Sequence, residues 1–202
     1  MTGRDWRKSV VYYIRREAQP EDKFGHQPRL YALAKTIGQD LDYDDDVLFA
    51  SAWMHDLGVF SGHRPQDIEQ LSGWDHVPDT IEQSIELLTG WDFPSGKLDA
   101  VAEAIRTHQA KDEPTTLEGT LLRDADILEQ LGAIGILRAA VKVGRDTRYP
   151  NFSSILPVLS HALSHLAGQT RLTRSKAMAE SRAEMLRSFL SAVSDEAGDL
   201  LH

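Results

Sequence analysis

The sequence predicts an all-α fold in a single domain, and three observations carry that prediction. Apolar residues recur at three- and four-residue offsets nearly everywhere, the spacing that places them on one face of a helix. No run alternates apolar and polar residues for long enough to make a half-buried strand. The chain has 202 residues, 41% of them hydrophobic, which suffices to close one core at an ordinary domain size.

Each helix has its own start and stop. Asp5 is a capping residue for a helix over 5–17, with Trp6, Val10, Tyr13 and Ile14 as its apolar stripe. Pro28 is favourable in a first turn and opens a second helix through Leu30, Leu33, Ala34 and Ile37 to a stop at Gly38. The acidic run Asp42-Tyr43-Asp44-Asp45-Asp46 suits a helix N-terminus and leads a third helix to Gly58. Residues 61–75 are rich in turn formers and read as a loop. Pro78 opens a fourth helix through Ile81, Ile85 and Leu88 to near Gly90. Ser95 caps a fifth that carries Leu98, Val101, Ile105 and His108. Residues 117–143 form one long apolar helix weakened at Gly132 and Gly135, and Asn151 and Thr173 cap the last two helices. Residues 145–150 are a connection too short for a domain linker, and there is no repeat or low-complexity segment.

Charge and composition exclude several function classes. With 31 acidic against 22 basic residues the net charge is −9, and the basic residues are scattered, which disfavours a nucleic-acid polymer as partner. No apolar run approaches a membrane span or a secretory signal core, so no membrane partner is expected and the chain reads as cytoplasmic. The absence of cysteine leaves imidazole and carboxylate as the metal ligands on offer.

Those groups stand in unexpected places. In "VLFASAWMHDLG" His55 shares a face with Leu48 and Ala52, and Asp56 with Phe49, Ala52 and Trp53. A carboxylate there costs several kcal/mol unless it is paired, hydrogen-bonded or metal-bound. The plain alternative is a buried His–Asp hydrogen bond or a helix cap before Gly58. His108 continues the stripe of Leu98, Val101 and Ile105, and His26 precedes Leu30, Leu33 and Ile37 at helical offsets. His76 stands before Pro78 and is the least supported of the four, because Thr80 and Gln83 are not apolar. Asp126 shares a face with Leu122 and Ala133, Asp124 with Leu121, Leu128 and Leu131, so periodicity leaves both open as the buried acid. One shared metal accounts for all of these groups at once, whereas separate burial needs a satisfied partner for each.

The ordered stretches "GHQPRLYALA", "AWMHDLG", "WDHVPDTIEQSIELL", "AIRTHQ" and "LLRDADILEQLGAIGILR" resemble the HD superfamily of metal-dependent phosphohydrolases. The likeness covers residues 22–195, since the last helix also resembles that of a bacterial subfamily of small HD hydrolases. The resemblance implies a single-domain orthogonal helical bundle over residues 1–202, with the metal-binding core at about 22–143 and helices 151–196 packed on it. It implies that His26, His55, Asp56 and Asp126 hold one divalent ion, among Mn, Ni, Co, Fe, Zn and Mg. The family's last ligand lies in an Ala-Asp step, which Ala125-Asp126 matches and Asp124 does not. A second metal through Asp56, His76 and His108 is the alternative; otherwise His76 and His108 contact substrate or water.

The implied activity is hydrolysis of a phosphoester of a small molecule, a nucleotide first, by an activated water. His76 and His108 are candidates to stabilise charge or protonate the leaving oxygen, and Arg29, three residues past His26, to hold phosphate. Some HD nucleotidases carry an acid soon after the doublet; here none precedes Asp67, so their general acid is not carried over. Two other classes stay open: a di-iron oxygenase with the same ligand types, and a nucleotide-binding domain without turnover. His161 and His165 sit one turn apart but lack the glutamate of a zinc protease, so an ordinary helix face is expected. His63, in the loop, is a candidate lid residue without further support.

Overall fold

The structure is a computed structural model. It describes residues 5–67, 69–70, 73–145 and 148–201; nothing is said of the remainder, or of the side chains of residues 22 and 199. Parts of two expected loops, at residues 68, 71 and 72 and at 146–147, therefore lie outside the described residues. Among the described residues every regular element is helical, as expected. The chain divides into two compact units, Met1–Arg123 and Asp124–His202.

The first unit holds α1 (Trp6–Glu17), α2 (His26–Ile37), α3 (Asp45–Met54), α4 (Val77–Gly90), α5 (Leu98–Arg106) and the opening turns of α6 (Leu117–Glu129). Asp5 caps α1 by accepting from Lys8 N at 3.3 Å. α2 begins at His26, so Pro28 lies in its first turn rather than at its opening. Asp44 caps α3, accepting from Asp46 N at 2.9 Å and Val47 N at 3.3 Å. The acidic run also gathers cations: Arg7 reaches Asp45 and Asp46 at 2.9 and 2.6 Å, and Lys97 reaches Asp44 and Asp46 at 2.9 and 2.8 Å. The Tyr31 hydroxyl donates to Asp45 at 2.7 Å, so these acids tie α1 and α2 to the head of α3.

All residues of α3 from Val47 to Met54 are buried, and the helix packs against α1, α2 and α5. A helix buried on every side is a central helix, so a shared apolar face says little about which way its polar residues point. α3 also stops at Met54 instead of reaching Gly58: Asp56 leaves helical geometry at φ −105° and ψ 14°, and Leu57–Val59 forms a 3₁₀ turn. Contact with α4 enforces that turn. Gly58 N donates to Thr80 Oγ1 at 2.9 Å, and a β-carbon on Gly58 would stand 2.8 Å from that oxygen. Around α3 the core gathers Val10, Ile14, Leu88, Val101 and Ile105, with Trp6 edge-on to Phe49 and Phe93 at 5.5 and 4.8 Å.

The fifth helix also differs from expectation. Ser95 opens a 3₁₀ turn without a side-chain cap, and α5 ends at Arg106, two residues short of His108. Thr107 bends the chain out of the helix while its hydroxyl donates to the Glu103 carbonyl at 2.8 Å.

The second unit contains the end of α6, then α7 (Gly132–Ala140), α8 (Leu156–His161) and α9 (Thr173–Ala197), with α9 packed on α7 and α8. The single helix expected over 117–143 is thus two. Gly132 adopts φ +64°, a region open to glycine, and starts the second of them. Asn151 caps a 3₁₀ turn leading into α8, accepting from Ser154 N at 3.1 Å.

Thr173 is the first residue of α9 and makes no cap; Asp124 supplies one from a distance. Its fully buried carboxylate accepts from Arg171 N at 2.9 Å, Leu172 N at 2.9 Å and the Ser175 hydroxyl. The three donors satisfy the charge that burial would otherwise penalise. No helix among the described residues is long and apolar enough to cross a membrane.

Candidate metal centre

The end of α3 sets the position of the centre. His55 is the last residue with helical angles, and its Nδ1 lies 3.1 Å from the Ala52 carbonyl oxygen. A carbonyl only accepts, so Nδ1 carries the proton of the neutral ring and Nε2 keeps its lone pair. That Nε2 lies 3.3 Å from His26 Nε2 and 3.6 Å from Asp56 Oδ2, and His26 Nε2 lies 3.8 Å from the same Oδ2. His26, at the head of α2, and His55 are both buried, and the Asp56 side chain is one-fifth exposed. The three donor atoms belong to one group that could hold a metal.

The other oxygen of Asp56 faces a second group. His76 Nε2, from the residue before α4, lies 3.6 Å from Asp56 Oδ1, and His108 joins the two of them within ligating range. His108 is buried, and its Nδ1 lies 2.6 Å from the Ile105 carbonyl, which orients Nε2 as Ala52 orients that of His55. The four rings form a chain of edge contacts: His26–His55 at 5.2 Å, His55–His108 at 5.0 Å and His108–His76 at 5.7 Å between centroids. Burial works against ionisation of Asp56, yet the positive charge that His55, His26 and His108 carry when protonated outweighs it and sets the carboxyl well below the usual range.

These residues fit a divalent cation. Metal–nitrogen bonds of about 2.0–2.1 Å set neighbouring ligand atoms roughly 3.0–3.4 Å apart, close to the separation of the His26 and His55 nitrogens. Imidazole with carboxylate suits Zn, Mn, Fe, Co and Ni, and does not decide among them.

The remaining sequence candidates are placed as follows. Arg29 is exposed on α2. Asp126 belongs to the second unit, where its carboxylate accepts from Gln130 Nε2 at 3.2 Å. His161 and His165 are exposed and stacked, with centroids 4.4 Å apart, as expected of an ordinary helix face. His63 is tethered: Nδ1 lies 2.8 Å from Gln83 Oε1 and Nε2 3.2 Å from Glu17 Oε2. The carbonyls of Ala52 and Ile105 are partners that no side-chain pattern reveals; the signal is the three-residue offset to each histidine.

Comparison with known proteins follows the same residues. A curated protein of Bacillus subtilis, YpgQ, is 27% identical over 177 residues, spanning 82% of this chain and 79% of its own length. The crystal structure of YpgQ superposes with a TM-score of 0.72 at 21% identity, covering 99% of this chain and 100% of YpgQ. Its complex with ADP gives 0.71 at 21%, covering 99% of each chain. An HD-superfamily hydrolase from Bacillus thuringiensis gives 0.70 at 18%, covering 96% and 98%. At these identities the structures speak for the fold. The family model of the HD domain matches residues 24–131, more than half of the chain and a stretch that holds the His55-Asp56 doublet with His26, His76, His108 and Asp126; the chain belongs to the HD domain family.

Proposed function

We propose that this protein is a metal-dependent phosphohydrolase that cleaves a phosphoester of a small molecule, a nucleotide first among them. The observation that carries the reading is the meeting of His26 Nε2, His55 Nε2 and Asp56 Oδ2 within 3.8 Å of one another. Family membership supports a metal-dependent hydrolase, and the ADP complex of YpgQ supports a nucleotide as the phosphorylated ligand.

A divalent cation held there would supply a water of lowered pKa and polarisation of a phosphoryl oxygen. His26 and His55 would hold it through their Nε2 lone pairs and Asp56 through its carboxylate. The proposed ligand role of Asp126 rests on the sequence match of Ala125-Asp126. His108, its Nδ1 proton committed to Ile105, has Nε2 as its basic nitrogen; a proton first taken up there, making the imidazolium, would be the one passed to the leaving oxygen, and His76 is the other candidate. Arg29 is proposed to hold a phosphate through its guanidinium fork.

A two-metal version has its own support, because the two oxygens of Asp56 face different histidine groups. Elemental analysis of purified protein counts the ions. A phosphatase screen across nucleotides with Mn, Co, Ni and Mg then tests the reaction. Two bound irons with oxygen consumption would establish an oxygenase instead, and tight nucleotide binding without turnover a binding module.

A further inference from the structure

His55 and His108 are each oriented by a carbonyl three residues earlier in the chain. His76 stands ahead of α4, so its 3.6 Å approach to Asp56 depends on how the head of that helix seats against the turn after the doublet. Three contacts fix the seating, and all converge on Gly58. Gly58 N donates to Thr80 Oγ1 at 2.9 Å, and Trp74 Nε1 donates to the Gly58 carbonyl at 3.3 Å. Between these bonds His76 itself presses on the glycine: a β-carbon on Gly58 would stand 2.9 Å from the His76 carbonyl oxygen and 3.0 Å from His76 Cβ. Only a residue without a side chain lets the two backbones meet so closely.

Thr80 joins the two sides. Its own N–H donates to the His76 carbonyl at 2.9 Å, while its hydroxyl oxygen takes the proton of Gly58 N. The turn that holds Gly58 is tied in the same way to Asp56, whose carbonyl accepts from Val59 N at 3.0 Å. One side chain and its backbone therefore link the peptide of His76 to the turn that begins at Asp56. Thr80 is fully buried, so water offers Gly58 N no substitute acceptor. Branching at Cβ restricts χ1 of threonine and keeps the hydroxyl aimed at that donor.

We propose that Thr80 is a positioning residue, which sets the distance between Asp56 Oδ1 and His76 Nε2 and so aligns His76 for its work at the centre. What His76 does there rests on the phosphohydrolase reading above. The seating of α4 on Gly58 is a property of the metal-free protein and is open to measurement without turnover.

Thr80→Val keeps the branched shape and removes the acceptor, whereas Thr80→Ser keeps the acceptor and removes a methyl group. In metal-free protein the imidazole nitrogen resonances of His76 are expected to shift in Thr80→Val and to stay at their wild-type positions in Thr80→Ser. Amide exchange at Gly58 should quicken at least tenfold in Thr80→Val alone. In metal-loaded protein, with p-nitrophenyl phosphate or AMP as substrate, kcat should fall at least tenfold in Thr80→Val with KM within threefold. Thr80→Ser should stay within threefold of wild type in both constants. Made in a His76→Ala background, Thr80→Val should lower kcat by less than a further threefold, because Thr80 acts through that ring. A tenfold loss in both backgrounds, or unmoved His76 resonances in Thr80→Val, overturns the proposal and leaves the hydrolase standing. If Thr80→Val does not fold, Gly58→Ala presses on His76 from the opposite side and is held to the same resonance shift and the same non-additivity. A metal-loaded wild type that hydrolyses neither compound overturns the hydrolase reading, and the resonances and exchange of the metal-free protein then decide the role of Thr80 by themselves.

Discussion

His55 Nδ1 stands 3.1 Å from the carbonyl oxygen of Ala52, one turn earlier in the chain. That contact uses the ring's only proton in its neutral form and turns Nε2 towards His26 and Asp56. The expected result is that His55→Ala and Asp56→Ala each lose metal and turnover together, by at least tenfold. Far-UV circular dichroism should keep its helical signature in both. Full metal content and turnover in Asp56→Ala would remove the proposed centre.

The two acids of α6 should separate by experiment. Asp124 meets two backbone N–H groups and a hydroxyl at the head of α9, so Asp124→Ala is expected to cost about 2–4 kcal/mol, read from urea unfolding of metal-free protein. Asp126→Ala should cost far less in that assay and should instead lower metal content. The reverse pattern would transfer the ligand role to Asp124.

Acid sensitivity has a local source at Glu17. Burial raises its pKa, but Arg16 and His63 outweigh burial and hold the carboxyl below its ordinary value. A depressed folded pKa contributes stability above the unfolded value of about 4.3, lost as pH falls through the folded value. Glu17→Gln is therefore expected to lower stability by up to about 1 kcal/mol at pH 6, with the gap to wild type closing below about pH 4. Thermal melts across that range check it; a gap that widens in acid would contradict the assignment.

Gly132 joins α6 to α7 at φ +64°, and a β-carbon there would stand 3.1 Å from Cβ and Cγ of Arg182 on α9. Gly132→Ala is expected to destabilise by about 1–2 kcal/mol, seen as a lower unfolding midpoint.

Much of the fold was legible because helix signals are local: Asp5, Pro28, Gly38 and Pro78 mark real boundaries or first turns. The doublet was legible because two polar groups interrupt an apolar run. Its orientation was not, since α3 is buried on all sides and ends before the doublet. His76 looked weakest because it lies at a helix mouth and on no face, yet its Nε2 is 3.6 Å from Asp56. The partners of Asp124 come from 47 to 51 residues further along, a tertiary contact that no local spacing encodes.

That last contact bears on where the family's fold can be cut. The HD match stops at residue 131, but a buried carboxylate inside it is hydrogen-bonded by donors at 171, 172 and 175. A fragment trimmed to the matched region would keep the acid and forfeit its counter-groups. Truncation upstream of Ser175 is therefore expected to leave Asp124 without these donors and to lower the unfolding midpoint.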